Sequence, residues 1–353
     1  MAHPDEEREL VLDLHGVSVP RVVHAPGLDE SARHNRIGAG AGVHLQIGRQ
    51  GSLDSLSWQS FAPVRPTGDE VEIEVVATGL NFRDVMWALG LLPEEALEDG
   101  FAGATLGMEC SGIVRRTGPD VTRFVPGDSV ITFAPACFAT HVRVAEKAVA
   151  PVPSTVDIEA AATIPVTFLT AYYALVELAR LEEGETILIH GGAGGVGLAA
   201  LQIAIWRGAR VIATAGSPEK RRLLTMLGAE HVLDSRSLVF QDEVMAISGG
   251  KGVDVVLNSL FGEAMERSIA TLRPFGRFVE LGKRDYYANS RIGLRPFRQN
   301  LSYFGVDADQ LLTHRPALAA RLFRELVERF EDGVFSALPY RAFAANRVTT
   351  PSG

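Results

Sequence analysis

The hexapeptide Gly192-Ala193-Gly194-Gly195-Val196-Gly197 directly follows the apolar run Thr186-Ile187-Leu188-Ile189-His190 and opens a helical pattern. A pyrophosphate needs glycines at such a turn, because a backbone without Cβ atoms lets N–H groups approach it at the positive end of a helix. A tight strand-to-helix turn would also use glycines, so the setting decides. Here the motif lies inside a run of alternating strands and helices, and all six residues are candidate dinucleotide contacts.

The next strand ends Ala213-Thr214-Ala215-Gly216-Ser217, without the acidic residue that binds a ribose 2′-hydroxyl about twenty residues after the glycines. Lys220, Arg221 and Arg222 come instead. A carboxylate would repel a 2′-phosphate and a cation pairs with it, so NADPH is expected over NADH, with Ser217 and Lys220 among the cofactor-binding residues. A solvated first helical turn is the plain alternative, although basic residues oppose the dipole at a helix start.

Catalytic zinc would need thiolate and imidazole ligands brought together. Cys110 follows Glu109, and Cys137 precedes His141. If Cys137–Val144 is a strand, its positions four apart stand too far from one another to ligate one ion. No metal is expected, and both cysteines read as buried thiols.

These residues need a scaffold, and the period of the apolar residues supplies one. Strands are expected at Thr186–His190, Arg210–Ala215, His231–Asp234, Val253–Asn258 and Arg277–Leu281. Single helices separate them, at Gly195–Trp206, Pro218–Leu227, Leu238–Ser248 and Gly262–Thr271, which means a parallel sheet in an α/β fold. From Val43 to Val152 short strands and turns such as Pro126-Gly127-Asp128 indicate a β-rich domain. The expected organisation is a substrate domain over 1–150, with an irregular lead-in over 1–42, a cofactor domain over 151–310, and a return segment over 311–353.

At 353 residues, 46% hydrophobic and 22% charged, the chain has the composition of a two-domain globular enzyme. A net charge of −9 gives no electrostatic footprint for nucleic acid. The start Met1-Ala2-His3-Pro4-Asp5 has no signal-peptide character and no apolar run reaches bilayer length, so a cytoplasmic location without membrane contact is expected.

Beyond the glycine loop, Gly79-Leu80-Asn81-Phe82-Arg83-Asp84-Val85-Met86, Gly107-Met108-Glu109-Cys110-Ser111-Gly112, Ser235-Arg236, Asn258-Ser259-Leu260 and Glu280-Leu281-Gly282-Lys283 stand in fixed order. Together they resemble the enoyl reductase domains of type I polyketide and animal fatty-acid synthases, over about Gly51 to Val348. Asn-Ser-Leu and Glu-Leu-Gly-Lys set that group apart from free-standing quinone reductases. The resemblance implies a zinc-independent medium-chain dehydrogenase fold, with a GroES-like substrate domain, a Rossmann-type NADPH domain and the site in the cleft between them.

It also implies roles. Asn81 and Asn258-Ser259-Leu260 belong by the nicotinamide and its ribose, Lys220 on the 2′-phosphate and Arg236 near the adenine. Lys283 and Asp309 match a proton donor and its partner. A lysine partly desolvated in a cleft can protonate an enolate, although water can do the same. Phe82 and Leu92 belong to the substrate side. A tyrosine matching Leu92 accompanies one configuration at an α-methyl branch, and an aliphatic residue the other. Tyr286, Tyr287 and His190 read as structural.

The implied reaction is conjugate reduction of a trans-α,β-enoyl thioester carried by an acyl carrier protein, within a synthase whose other domains are neighbours, and compatible with a homodimer. The phrase Pro339-Tyr340-Arg341-Ala342-Phe343 is usually followed by a further helix and strand, so the return segment reads as truncated. A stand-alone quinone or enone reductase and a catalytically weak scaffold module are the alternatives.

Overall fold

The computed structural model describes residues 41–92 and 100–348, with a short antiparallel pairing of Val11–Asp13 and Gly16–Ser18. The lead-in up to Gly42 and the tail from Thr349 fall almost wholly outside the described residues. The chain divides into two compact units, residues 1–166 with 309–353, and residues 167–308.

The first unit is built on antiparallel strands. Strands β1 (Gly42–Ile47) and β2 (Leu56–Phe61) pair with each other. Strand β3 (Glu70–Thr78), helix α1 (Phe82–Ala88) and strands β4 (Glu109–Thr117), β5 (Ser129–Phe133), β6 (His141–Ala145) and β7 (Val149–Pro151) follow. The five-stranded sheet runs β6-β3-β4-β5-β7, a curled GroES-like half-barrel. Alternation puts Val71, Ile73, Cys110, Val114 and Val130 on one inner face.

Cys137 corrects the expected strand over Cys137–Val144. The strand begins only at His141, and Ala136, at φ 58°, turns the chain just before Cys137. The turn is pressed against Gly107, where a Cβ would stand 2.8 Å from the Phe138 nitrogen and φ is +86°. Cys137 is thus buried in the same core as Cys110 and donates to the Ala134 carbonyl at 3.1 Å.

The second unit holds β8 (Thr186–Ile189), α2 (Gly195–Trp206), β9 (Arg210–Ala215), α3 (Pro218–Met226), β10 (His231–Asp234), α4 (Phe240–Ile247), β11 (Val253–Asn258), α5 (Glu263–Ala270), β12 (Leu272–Glu280) and β13 (Ser302–Gly305). All six strands are parallel, in the order β10-β9-β8-β11-β12-β13. This is the expected Rossmann-type sheet, and element ends agree within about two residues except that β12 begins at Leu272. The strands are continuous apolar runs because helices cover both faces. Strand order reverses between β8 and β11, and ligands of such sheets bind at that switch point, beyond the carboxyl ends of the strands.

Helices α6 (Ala308–His314) and α7 (Pro316–Glu331) lead back into the first unit. Leu322, Phe323, Leu326 and Phe330 form the buried stripe of α7, and the Phe323 ring lies 4.7 Å from that of Phe133. Among the described residues no helix is long and apolar enough to cross a membrane.

Candidate active site

The glycine loop lies between β8 and α2, with Gly194 as the N-cap and no side chain capping the helix. Its first N–H groups are therefore left for a ligand. Gly191, at φ 62°, and Gly192 fold the turn, and Gly192 donates to the Thr214 carbonyl at 2.9 Å. At Gly197 a Cβ would stand 2.7 Å from the Gly192 Cα, so only glycine lets the helix pack this closely on the turn. Gly194 and Gly195 are exposed, while Ala193 and Val196 are half-buried. The residues present fit a dinucleotide pyrophosphate.

At the end of β9, Ser217 caps α3 by accepting the Lys220 N–H at 3.3 Å, with Pro218 at the first helical position. The three cations here have different employment. Arg221 pairs with Asp234 at 3.1 Å and donates to the Ala215 carbonyl at 3.1 Å, and Arg222 reaches Glu219 at 3.5 Å. Lys220 forms no ion pair with the described residues and stays exposed. The exposed Arg236 lies along Gly216, where a Cβ would meet its Nε at 3.1 Å. Gly216-Ser217 is thus flanked by two available cations, a donor set that fits a phosphate monoester.

The loops after β11 and β12 are locked together. Asn258 is fully buried, and its Nδ2 donates to Glu280 Oε2 at 2.6 Å and to the Leu260 carbonyl at 2.7 Å. Its Oδ1 accepts the Leu260 N–H at 3.2 Å. Asn258 therefore shapes the Ser259–Leu260 turn from within, and Ser259 is the exposed member. A Cβ on Gly191 would stand 3.1 Å from Ser259 Oγ, so this turn borders the glycine loop. Glu280 also accepts the Gly282 N–H at 2.6 Å, and burial pushes its pKa up to about 7 against these donors. Lys283, half-buried, donates from Nζ to Asp307 Oδ1 at 2.9 Å. Sequence reasoning passed over Asp307.

In the first unit Asn81 begins α1. Asp84 accepts the Asn81 N–H at 2.9 Å with one oxygen and the Gly107 N–H at 2.8 Å with the other. Asn81 Nδ2 donates to Glu109 Oε1 at 2.8 Å, and Glu109 Oε2 accepts the Val166 N–H at 2.7 Å. Burial raises the Glu109 carboxyl to about 7. Asp84 is raised by burial too, with Asp309 adding to the shift. Asp309 is buried, whereas Phe82 is largely exposed. Leu92 is half-buried against Leu45, Trp87 and Leu106.

Two buried glutamates, Glu109 and Glu280, therefore hold the two asparagines singled out in the sequence. An acid within an apolar strand was the signal that could have found them, because such groups are rarely buried without a structural task. His190 behaves as the structural residue it was read to be. It is fully buried between Thr214 Oγ1 at 3.0 Å and Ser268 Oγ at 2.9 Å.

Residues 67–154 match the alcohol dehydrogenase GroES-like domain and residues 195–320 the zinc-binding dehydrogenase family. The second name raises the question of a metal. Among the described residues no group of three or more His, Cys, Asp or Glu side chains is placed to hold one, and the Cys137 thiol is buried in the core, donating to the Ala134 carbonyl. The donor set does not fit zinc.

Over 339 residues the chain is 43% identical to a phenolphthiocerol/phthiocerol polyketide synthase of Mycobacterium tuberculosis, a match covering 92% of this chain and 15% of that protein. It thus spans a small part of the length of such relatives. The CurK enoyl reductase superposes with a TM-score of 0.81 at 40% identity, covering 87% of this chain and 93% of that one. The Escherichia coli quinone oxidoreductase complexed with NADPH gives 0.72 at 27%, over 84% and 90%. The family matches, the glycine loop and the coverage of nearly a whole enoyl reductase agree: the chain belongs to the polyketide synthase enoyl reductases of the medium-chain dehydrogenase/reductase superfamily.

Proposed function

We propose that the chain is an NADPH-dependent enoyl-thioester reductase that converts a trans-α,β-enoyl group on an acyl carrier protein to the saturated acyl thioester. The observation that carries this reading is the convergence of the glycine loop, Ser259-Leu260 and Lys283 after the adjacent parallel strands β8, β11 and β12. Relatives that are polyketide synthases support the setting among other synthase domains, and the NADPH named for the quinone oxidoreductase supports the cofactor.

When bound, NADPH supplies the hydride that reduces the β-carbon. The uncapped N–H groups of α2 bind the pyrophosphate, Lys220 takes the 2′-phosphate, and Arg236, beside Gly216, serves the adenine end. Ser259 and Leu260, held by Asn258, orient the nicotinamide end. Lys283 presents an ammonium proton at Nζ for the α-carbon, and Asp307 holds that nitrogen in place. Asn81, in the first unit, serves the nicotinamide end of the cofactor, Asp309 is the partner of the proton donor, and Phe82 and Leu92 serve the substrate side. Comparing NADPH oxidation with crotonyl thioester against a quinone tests the reading. Faster turnover with the quinone would assign the chain to the quinone reductases instead.

A further inference from the structure

Strands β11 and β12 end side by side, with Asn258 and Glu280 as register partners. At its strand end Glu280 is 1% exposed, a placement that is unfavourable for a carboxylate unless both oxygens are hydrogen bonded. They are. Oε2 accepts Asn258 Nδ2 and Oε1 accepts the Gly282 N–H, both at 2.6 Å. At Gly282 a Cβ would stand 2.8 Å from Oε1, so glycine is what lets the loop come this close. The backbone of Glu280 is fixed as well, its carbonyl accepting the Val306 N–H at 2.9 Å and the Tyr286 hydroxyl at 3.2 Å.

Both side-chain partners are donors. Each donor reaches a different oxygen of the same group, so both of its terminal atoms must accept, which a carboxylate allows and an amide, with one N–H₂ end, does not. Neither Asn258 nor Glu280 is left with surface to offer a ligand, so neither touches substrate. Their joint product is the relative placing of two loops.

We propose that Glu280 is a positioning residue of the reductase: its carboxylate ties the Asn258–Leu260 turn to the Gly282–Lys283 turn and so fixes the nicotinamide-side loop and the Lys283 ammonium in one register. This rests on the reductase reading of the site. It accounts for the joint presence of Asn-Ser-Leu and Glu-Leu-Gly-Lys in the sequence, since the two phrases are halves of one hydrogen-bonded clamp. Lys283 follows Gly282 directly, so a shift of that amide carries the lysine away from Asp307.

The test uses the whole chain, as Glu280→Gln and as Glu280→Gln combined with Asn258→Asp. The single variant sets an N–H against one of two donors. In the double variant the amide of residue 280 donates to the new carboxylate at 258 and its oxygen still accepts Gly282, so the tie between the two loops is re-formed with donor and acceptor exchanged, while the bond from residue 258 to the Leu260 carbonyl is lost. Three quantities are read: hydrogen exchange at the Gly282 and Leu260 amides without cofactor, NADPH affinity by nicotinamide fluorescence, and kcat with KM for crotonyl thioester.

The single variant should exchange faster at Gly282 and lose about 10–100-fold in kcat with a smaller change in KM, as expected when reacting groups are displaced by a fraction of an ångström. The double variant should recover part of both losses. Exchange and kcat within about twofold of wild type would overturn the proposal, as would lower thermal stability with unaltered kcat, which is the mark of a purely structural residue. If the single variant does not fold, Gly282→Ala decides, because its Cβ would stand 2.8 Å from Glu280 Oε1, and exchange and kcat within about twofold of wild type in that variant also overturn the clamp. A wild type that neither binds NADPH nor reduces the thioester would refute the reductase reading alone, because the exchange measurements still judge the clamp.

Discussion

Asn81 hangs from Glu109: its side-chain amide donates to Oε1 at 2.8 Å, while the other oxygen of that buried carboxyl takes the Val166 N–H. One acid thus anchors both the start of α1 and the segment entering the helix at Pro165–Tyr172. A Cβ on Gly79 would run into the Glu109 side chain, with its Cδ at 2.6 Å, so the chain before Asn81 is shaped around the same group.

The burial of Glu109 makes folding stability depend on pH. Its folded pKa, about 7, lies above the ordinary 4.5, so the unfolded chain gives up this proton first. The contribution is complete below pH 4.5 and is lost as pH rises through 7, by up to about 3 kcal/mol. Asp84, also raised, acts in the same direction. Denaturant midpoints between pH 4.5 and 7.5 should fall less steeply in Glu109→Gln than in wild type. Parallel slopes would show that the carboxyl does not titrate in this range.

His190 acts at the other end of the scale. Burial lowers its pKa to about 3, below the 6.5 of the unfolded chain. Its contribution is present above pH 6.5 and is lost as pH falls from 6.5 toward 3, at about 1.4 kcal/mol per unit once the unfolded imidazole is protonated. Nitrogen chemical shifts should show a neutral ring at pH 5. An imidazolium at that pH would contradict the lowering that burial imposes.

Lys220 and Arg221 are neighbours with different tasks, and this separates two variants. Lys220→Glu should weaken NADPH by roughly 10²-fold and leave NADH nearly unchanged, because a phosphate contact becomes a repulsion. Arg221→Ala should instead lower thermal stability, since that guanidinium already serves Asp234 and the Ala215 carbonyl. Equal loss of both cofactors in Lys220→Glu would move the 2′-phosphate elsewhere.

Lys283→Ala should lower kcat by roughly 10²–10⁴-fold, with NADPH affinity changed far less, if the ammonium protonates the α-carbon. Asp307→Asn should give a smaller loss, having kept the hydrogen bond and removed the charge. Turnover equal to wild type in Lys283→Ala, with hydride transfer rate-limiting, would assign the proton to water. A double variant of Lys283 and Asp309 no worse than either single one would join those two in one functional group.

The parallel sheet was legible because each strand is an apolar run between helices, as Val253-Asp254-Val255-Val256-Leu257 shows. Strand β13 escaped notice because Ser302-Tyr303-Phe304-Gly305 is short and at the sheet edge, with its ends exposed. The alternation in Ala139-Thr140-His141-Val142-Arg143-Val144 was extended too far back, since nothing in the residue type of Ala136 announces its positive φ. Glycine loop and cations could be read from type and spacing alone. The partners of Asn81, Asn258 and Lys283 could not, because they come from other strands and depend on register.

We propose that Leu92 bears on the configuration at an α-methyl branch. Its side chain is half-buried against Leu45, Trp87 and Leu106, so it fills space and carries no proton. Protonation of the α-carbon then falls to Lys283 or water, and with an α-methyl enoyl thioester the expected product is 2R, the configuration that accompanies an aliphatic residue here. A tyrosine at this position must either overpack the Trp87 cluster, at a cost of about 1–3 kcal/mol, or turn its phenol outward. The two outcomes are separable. Leu92→Tyr with a lowered melting temperature and unchanged 2R product means the ring stayed in the cluster, whereas 2S product without loss of stability means the hydroxyl reached the enolate. Chiral analysis of the reduced acid decides, and wild-type product that is mainly 2S would refute the assignment of Leu92 whatever the variant does.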